Sequence, residues 1–204
     1  MQKIYYERNL PHWHPPGATF FLTYRLAGSI PQSVLFGLQK DFASETLQLR
    51  SRLFGQALSQ ATYALQRRFF AHYDGQLDLN PNGPYWLKRP EIARAVIDSW
   101  THLEGHGVQI HALCVMPNHV HVLVEHRKGA PSLAKILQMH KAFTGKQCNR
   151  ILGRTGCFWQ KETYDHWVRS PEEFDRIVRY ILNNPVKAKL VERWTEWPFT
   201  VARL

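Results

Sequence analysis

Two histidines one residue apart occur twice in the chain: His119 and His121 in "MPNHVHVLVEH", and His12 and His14 in "PHWHPPG". On an extended strand, residues two apart project from the same face. Two imidazoles so placed can share one cation. They suit Mn, Fe, Ni, Cu or Zn, and they hold Mg when oxygen ligands complete the shell. The bland alternative is two hydrogen-bonded histidines at a sheet edge. His119 and His121 alternate with Val120 and Val122, which turn to the opposite face. His12 and His14 lie among Pro11, Pro15 and Pro16, where the backbone is irregular and further ligands are few, so they read as loop structure. A zinc site from Cys114, His119 and His121 lacks a second nearby cysteine.

The elements that must position the strand pair follow from periodicity and punctuation. Ala18 to Leu26 reads as a strand after the Pro15-Pro16-Gly17 turn. Pro31 to about Phe70 reads as two helices broken near Gly55, and Asp74 to Pro90 as a loop rich in Gly, Pro and Asn. Glu91 to Leu103 is a helix. Val108 to Met116 and the "HVHVLVEH" run form a hairpin about Pro117-Asn118. A helix starts at Pro131 or Ser132 and runs to about Leu152, with Leu133, Ile136, Leu137, Phe143 and Ile151 toward a core. Glu162 to Arg169 is a strand. Ser170 caps a helix that starts with Pro171 and two acids and ends near Asn183-Asn184-Pro185. This order predicts an α+β, ferredoxin-like or RRM-like antiparallel sheet with helices packed mainly on one face.

The chain has 204 residues and a net charge of +10, a size for one cored domain and a balance that favours a polyanionic partner. No Asp or Glu occurs from His126 to Lys161, while Arg127, Lys128, Lys135, Lys141, Lys146, Arg150, Arg154 and Lys161 do. Phosphate contacts account for such a stretch better than a solvated face does. Trp159, Trp167, Trp194 and Trp197 offer stacking surface, though a tryptophan is more often core. The three cysteines are widely spaced, no apolar run reaches membrane-spanning length, and the first residues do not read as a signal peptide. A cytoplasmic protein with reduced thiols is expected, and no membrane partner.

Three segments resemble one family in its order: "PHWHPPGATFFLTYRLAGSIP", "VMPNHVHVLVE" and "FWQKETYDHWVRSPEEFDRIVRYILNNPVKAKLVE". They are similar to the REP-associated tyrosine transposases, bacterial relatives of the single-tyrosine (HUH) transposases of the insertion-sequence-200 kind. The resemblance runs from about Arg8 to Trp197. It implies a single domain over 1–204, with a helical insertion around 36–70 and a tail around 186–204. It also implies a divalent cation, Mg or Mn, held by His119 and His121. Tyr180 falls on the family's nucleophile and Asn184 on its third ligand, a glutamine in the insertion-sequence-200 branch. His166 matches a family histidine that orients a phosphate or the tyrosine, or simply completes the sheet.

The implied activity is cleavage and transfer of single-stranded DNA at repeated extragenic palindromic hairpins through a 5′-phosphotyrosine. Binding would use Arg127, Lys128, Lys135, Lys141, Lys146 and Arg150, in a monomer or a homodimer. Two rivals remain: a domesticated hairpin-binding protein without strand transfer, and a metal-dependent nuclease using water. Tyr180 and Asn184 lie four apart on a predicted helix and so share a face. Tyr164 is the rival tyrosine; it begins a strand and reads as packing. Asn118 reads as a turn former.

Overall fold

The computed structural model describes residues 5–7, 11–15, 17–79 and 83–203. Two compact units divide them: residues 28–83, and the remainder on either side. The elements, in chain order, are β1 (Tyr5–Glu7), β2 (Pro11–Trp13), β3 (Thr19–Arg25), α1 (Gln32–Arg52), α2 (Gly55–Leu79), α3 (Pro90–Glu104), β4 (Val108–Val115), β5 (His119–His126), α4 (Leu133–Ile151), β6 (Tyr164–Val168), α5 (Pro171–Lys187) and β7 (Thr200–Ala202). Short 3₁₀ turns occupy Trp86–Lys88 and Trp194–Glu196.

In the larger unit, five antiparallel strands run in the order β6-β3-β5-β4-β7. Strand β3, helix α3, hairpin β4–β5, helix α4 and strand β6 make the repeat expected of a ferredoxin-like sheet, with its first and third strands, β3 and β5, central. The alternation of these strands sorts their side chains. Phe20, Leu22 and Tyr24 of β3, Val120, Val122 and Val124 of β5, and Ile110, Leu113 and Val115 of β4 are all buried in one cluster. The cluster is closed by Ile92, Val96 and Trp100 of α3 and by Leu133, Ile136 and Leu137 of α4. Helix α5 lies on the other face: Phe174 stacks edge-on to His111, and Tyr180 edge-on to His121 and Phe21.

A polar chain runs through this apolar core. Trp100 Nε1 donates to the Tyr24 hydroxyl at 2.8 Å, and that hydroxyl stands 2.7 Å from His140 Nε2. His140 Nδ1 stands 2.9 Å from Ser99 Oγ. Every member has a partner when His140 is neutral, with Tyr24 donating to Nε2 and Nδ1–H donating to Ser99. Burial enforces that neutrality: it pushes the His140 pKa down to about 3 and the Tyr24 phenol upward.

The smaller unit is an antiparallel helical hairpin. Phe42 meets Phe69 with ring centroids 4.8 Å apart, and Glu45 pairs with Arg68. Ile30, Leu35 and Leu77 form a small core, with Val34 and Tyr73 against it. This packing carries α2 through Asp74 and Gly75 to Leu79, so the loop expected from Asp74 starts only after Leu79. A helical glycine costs about 1 kcal/mol against alanine, which the contacts of Tyr73 and Leu77 offset. Residues 80–82 of that loop lie outside the described residues.

Four further expectations change. Phe143 is not a core residue; it is 60% exposed. The buried line of α4 runs Leu133, Ile136, Leu137, His140, Thr144 and Cys148, and Phe143 sits about 100° round the helix from Thr144. Two core positions of α4 are polar, so its apolar residues alone give the wrong phase. Helix α5 continues past Pro185 to Lys187, and Ala188 N–H then donates to Asn184 O at 2.9 Å. The tail supplies an unforeseen edge strand: β7 pairs with Ala112–Cys114 of β4, and Trp197 Nε1 donates to Val115 O at 3.0 Å. Finally, His12 lies in β2, which pairs with β1, rather than in a loop; its side chain is outside the described residues. His14 is buried and ion-paired with Asp165.

The polar chain carries a prediction. His140 is neutral in the fold well below ~6.5, the usual histidine value. Its contribution to stability is complete above pH ~6.5 and is lost as pH falls toward 3. Urea unfolding of His140→Gln should therefore show a shallower loss between pH 6.5 and 4 than the wild type. Tyr24→Phe should cost about 1–3 kcal/mol at pH 7, because it strands the Trp100 and His140 nitrogens; an unchanged urea midpoint would contradict the network.

Candidate active site

On β5 the alternation that sends three valines into the core turns His119 and His121 to the α5 face. Their Nε2 atoms converge to 3.0 Å. Asn118 Oδ1 lies 2.6 Å from His119 Nδ1 and accepts its proton, while Thr23 Oγ1 lies 2.7 Å from His121 Nδ1. The Asn118 oxygen can only accept, so it puts the His119 proton on Nδ1 and the lone pair on Nε2, as outer partners do for cation-binding histidines; the Thr23 hydroxyl, donor or acceptor, orients the His121 ring in either tautomer. Ligand bonds of ~2.0–2.1 Å to one ion, met at a right angle, put two nitrogens about 3 Å apart. The pair fits a shared cation.

Asn118 and Thr23 were not foreseen as orienting groups. Asn118 carried a turn signal, and it does sit in the turn closed by Met116 N–H donating to His119 O at 2.9 Å; its own carbonyl accepts from Leu26 N–H, just past β3, at 2.9 Å. Thr23 had no local signal, because only the β3–β5 register places it opposite His121.

Helix α5 brings Tyr180 to this pair. Its ring centroid is 5.5 Å from that of His121 and 5.8 Å from that of Phe21, both edge-on. Lys187 Nζ lies 5.9 Å from the Tyr180 ring centre. One turn beyond Tyr180, Asn184 is 1% exposed, and among the described residues neither its Oδ1 nor its Nδ2 has a hydrogen-bond partner. A buried amide left unpaired costs roughly 1–3 kcal/mol, and this one is suited to a cation or to a water on it. Tyr164 pairs opposite Thr23, so it stands on the same sheet face; its ring meets Phe21 edge-on at 6.2 Å. Tyr180 is ringed against His121. Cys114, opposite His121 in the β4–β5 register, has its thiol against Met116 Sδ and Thr200 Oγ1, and burial pushes its pKa up to about 12.

The first turn of α5 is tied to the sheet through Glu173. Its buried carboxylate accepts from His166 Nε2 at 2.9 Å, Arg169 N–H at 3.0 Å and Arg176 Nη2 at 3.1 Å. The Ser170 hydroxyl caps the helix by accepting Glu173 N–H. His166 is thus a strut between β6 and the helix that carries Tyr180. Burial lowers its pKa, and the Glu173 carboxylate opposes that shift.

The expected cations lie elsewhere. Lys135, Lys146 and Arg150 are exposed on α4, whose buried side packs on the other face of the sheet. A groove between α4 and residues 156–165 is lined by Lys135, Gln138, Lys146, Asn149 and Lys161. Arg127 and Lys128 follow the end of β5 remote from His119. Lys141 is turned inward: its Nζ donates to the carbonyls of Gln160, Lys161 and Glu162 and to Thr163 Oγ1 at 2.6 to 3.3 Å. Arg154 lies over the Trp86 ring, its Cζ 3.9 Å from the ring centre. Trp159 is buried and donates to Thr144.

Residues 93–184, from α3 to Asn184, match the family described as Transposase IS200 like. This segment makes up a little under half of the chain. It contains the histidine pair, His166, Tyr180 and Asn184. The resemblance to REP-associated tyrosine transposases stands with it. A Haemophilus influenzae protein named as a REP-associated tyrosine transposase is 30% identical over 98 residues, covering 44% of this chain and 56% of its own. The Escherichia coli REP-associated tyrosine transposase is 28% identical over 92 residues, covering 45% of this chain and 53% of its own. The chain thus spans about half the length of the curated relatives it matches. The solved structure of a REP-associated tyrosine transposase bound to a REP hairpin superposes with a TM-score of 0.55 at 19% identity, over 98% of this chain and 82% of that one. It shares the fold. Among the described residues, no helix is long and apolar enough to cross a membrane.

The Glu173 tie is open to test. In Glu173→Gln the opposing charge is gone, so the His166 pKa should fall further below the usual histidine value in an NMR titration. The variant should also lose about 1–3 kcal/mol of stability. An unshifted His166 titration would mean that the pair does not form in solution.

Proposed function

We propose that this protein cleaves and rejoins single-stranded DNA next to hairpins of the REP type, with Tyr180 as nucleophile and a divalent cation, Mg or Mn, held by His119, His121 and Asn184. The observation that carries this is the contact of the Tyr180 ring with His121, whose Nε2 converges with that of His119 to 3.0 Å. The unpaired buried amide of Asn184 supports a third ligand, direct or through water. The name and bound hairpin of the structural relative supply the substrate class.

A phenol with a pKa near ~10 is a poor nucleophile until it loses its proton. When bound, the cation would polarise the scissile phosphate and align it for in-line attack. Tyr180 Oη gives its proton to solvent and forms the new bond to phosphorus, the P–O3′ bond breaks, and the departing oxygen takes a proton from solvent to become a 3′-hydroxyl. The 5′ phosphate stays on Tyr180 as a diester. That ester conserves the bond energy, so a 3′-hydroxyl can attack phosphorus, restore the strand and release the tyrosine. His166, held by Glu173, fixes the helix that presents Tyr180. Lys135, Lys146, Arg150, Arg127 and Lys128 hold phosphates away from the reacting bond, while Lys141 serves the adjoining loop. We take the helical unit 28–83 as an insertion into one transposase domain. We place its work in the cytoplasm, in keeping with three free cysteines.

A single assay separates this from a binding protein and from a water-using nuclease. Hairpin DNA with single-stranded flanks and Mn should give a denaturation-resistant protein–DNA adduct, and Tyr180→Phe should abolish it. His119→Ala and His121→Ala should lose adduct formation by at least about 100-fold while keeping most DNA affinity. Cleavage that survives Tyr180→Phe would point to the nuclease, and tight binding without any cut to the binding protein.

A further inference from the structure

The exposed side of α4 carries an apolar pair that the core does not use. Phe143 is 60% exposed and Met139 48% exposed. Lys135, Met139, Phe143, Lys146 and Arg150 follow at steps of four, four, three and four, so they form one stripe along the helix, and all five are exposed. From Lys135 to Arg150 the stripe is about 22 Å long at ~1.5 Å per residue. That is the length of about six stacked nucleotides at ~3.4 Å each.

We infer that this stripe is a single-stranded DNA track in which Phe143, backed by Met139, is a stacking platform for an unpaired base. The inference rests on the DNA-binding function proposed above and adds to it a residue and a substrate feature. Three observations select this occupant. The stripe lies in a stretch, His126 to Lys161, that contains no acid; the acids of the adjoining groove are Glu162 and Asp165, and Asp165 is ion-paired with His14. Its aromatic ring is bracketed by cations, Lys135 before and Lys146 and Arg150 after, the pairing that lets a strand be held by its phosphates while a base lies on a ring. Its Lys135 and Lys146 also line the groove between α4 and residues 156–165, which Gln138 and Gln160 furnish with amide groups. A continuous strand would therefore find cations, polar edges and one flat apolar face side by side. A fully paired duplex has its bases stacked internally and offers the ring nothing.

The two kinds of contact give different signatures. Phosphate contacts act on every DNA alike and set the salt dependence; a stacking contact discriminates unpaired from paired DNA. The test uses the full chain and three fluorescent probes: a single strand, a hairpin with single-stranded flanks, and a blunt duplex. Phe143→Ala should weaken the first two by about 5- to 150-fold, the range expected for one lost base stack, and should leave the duplex affinity unchanged. Phe143→Trp should restore the affinity. Phe54→Ala, at an exposed aromatic of the helical unit, should change nothing. Lys146→Ala should weaken all three probes and flatten the salt dependence. A 2-aminopurine base stepped along the flank should be quenched at one position by wild type and at none by Phe143→Ala.

Equal affinities of wild type and Phe143→Ala for all three probes would overturn the inference, as would equal losses on all three. So would a Phe143→Ala variant that sediments as a smaller species than wild type with unaltered DNA affinity, which would assign the stripe to self-association. If wild type bound none of the probes, the DNA-binding function itself would fall, an outcome distinct from the loss of discrimination alone.

Discussion

The period of two along β5 is the constraint on which the rest depends. Each step along the strand reverses the side-chain direction, so Val120, Val122 and Val124 cannot enter the core without sending His119 and His121 to the other face. A register slip of one residue would bury two imidazoles among the valines and expose the valines. The apolar core therefore does more than stabilise the fold. By locking β5 between β3 and β4, it sets the direction of both histidines and the separation of their nitrogens.

The two faces of the sheet then take different work. One is covered by α3 and α4 and contains a polar chain through Tyr24, Trp100, Ser99 and His140, every member of which is satisfied only when the histidine is neutral. The other is covered by α5, whose side chains reach back across the sheet. Tyr180 leans on His121 and Phe21, and Asn184 brings an unpaired amide into a buried position. A fully satisfied network gives rigidity, whereas an unsatisfied buried amide is held at a cost that a ligand can remove. Of the two faces, it is the α5 side that holds a buried amide with its hydrogen bonds unmet among the described residues.

The helix dipole and the cap of α5 join these parts. Ser170, Pro171 and the acids of the first turn start the helix, but Glu173 does more than suit the positive end. It accepts from His166, from Arg169 N–H and from Arg176, so the start of the helix is pinned to β6. Two turns separate Glu173 from Tyr180, which carries the anchor to the phenol through a rigid element. On α4 the same helical periodicity leaves a stripe of cations with a bare aromatic among them.

Much of this was legible in the chain itself. Strand alternation made His119 and His121 share a face, helical spacing made Tyr180 and Asn184 share another, and the punctuation at Pro117-Asn118 and Ser170-Pro171 set the starts of β5 and α5. These are local effects, decided by backbone geometry within a few residues. What the tertiary structure decided was long-range. Thr23 opposite His121, Glu173 under His166 and the edge strand β7 all depend on pairings between distant segments, and no local pattern encodes them. Phe143 shows the same limit from the other side. Its apolar character suggested a core position, but His140 and Thr144 had taken that line, because a hydrogen-bonded polar side chain can occupy a core site that hydrophobicity alone would give to another residue.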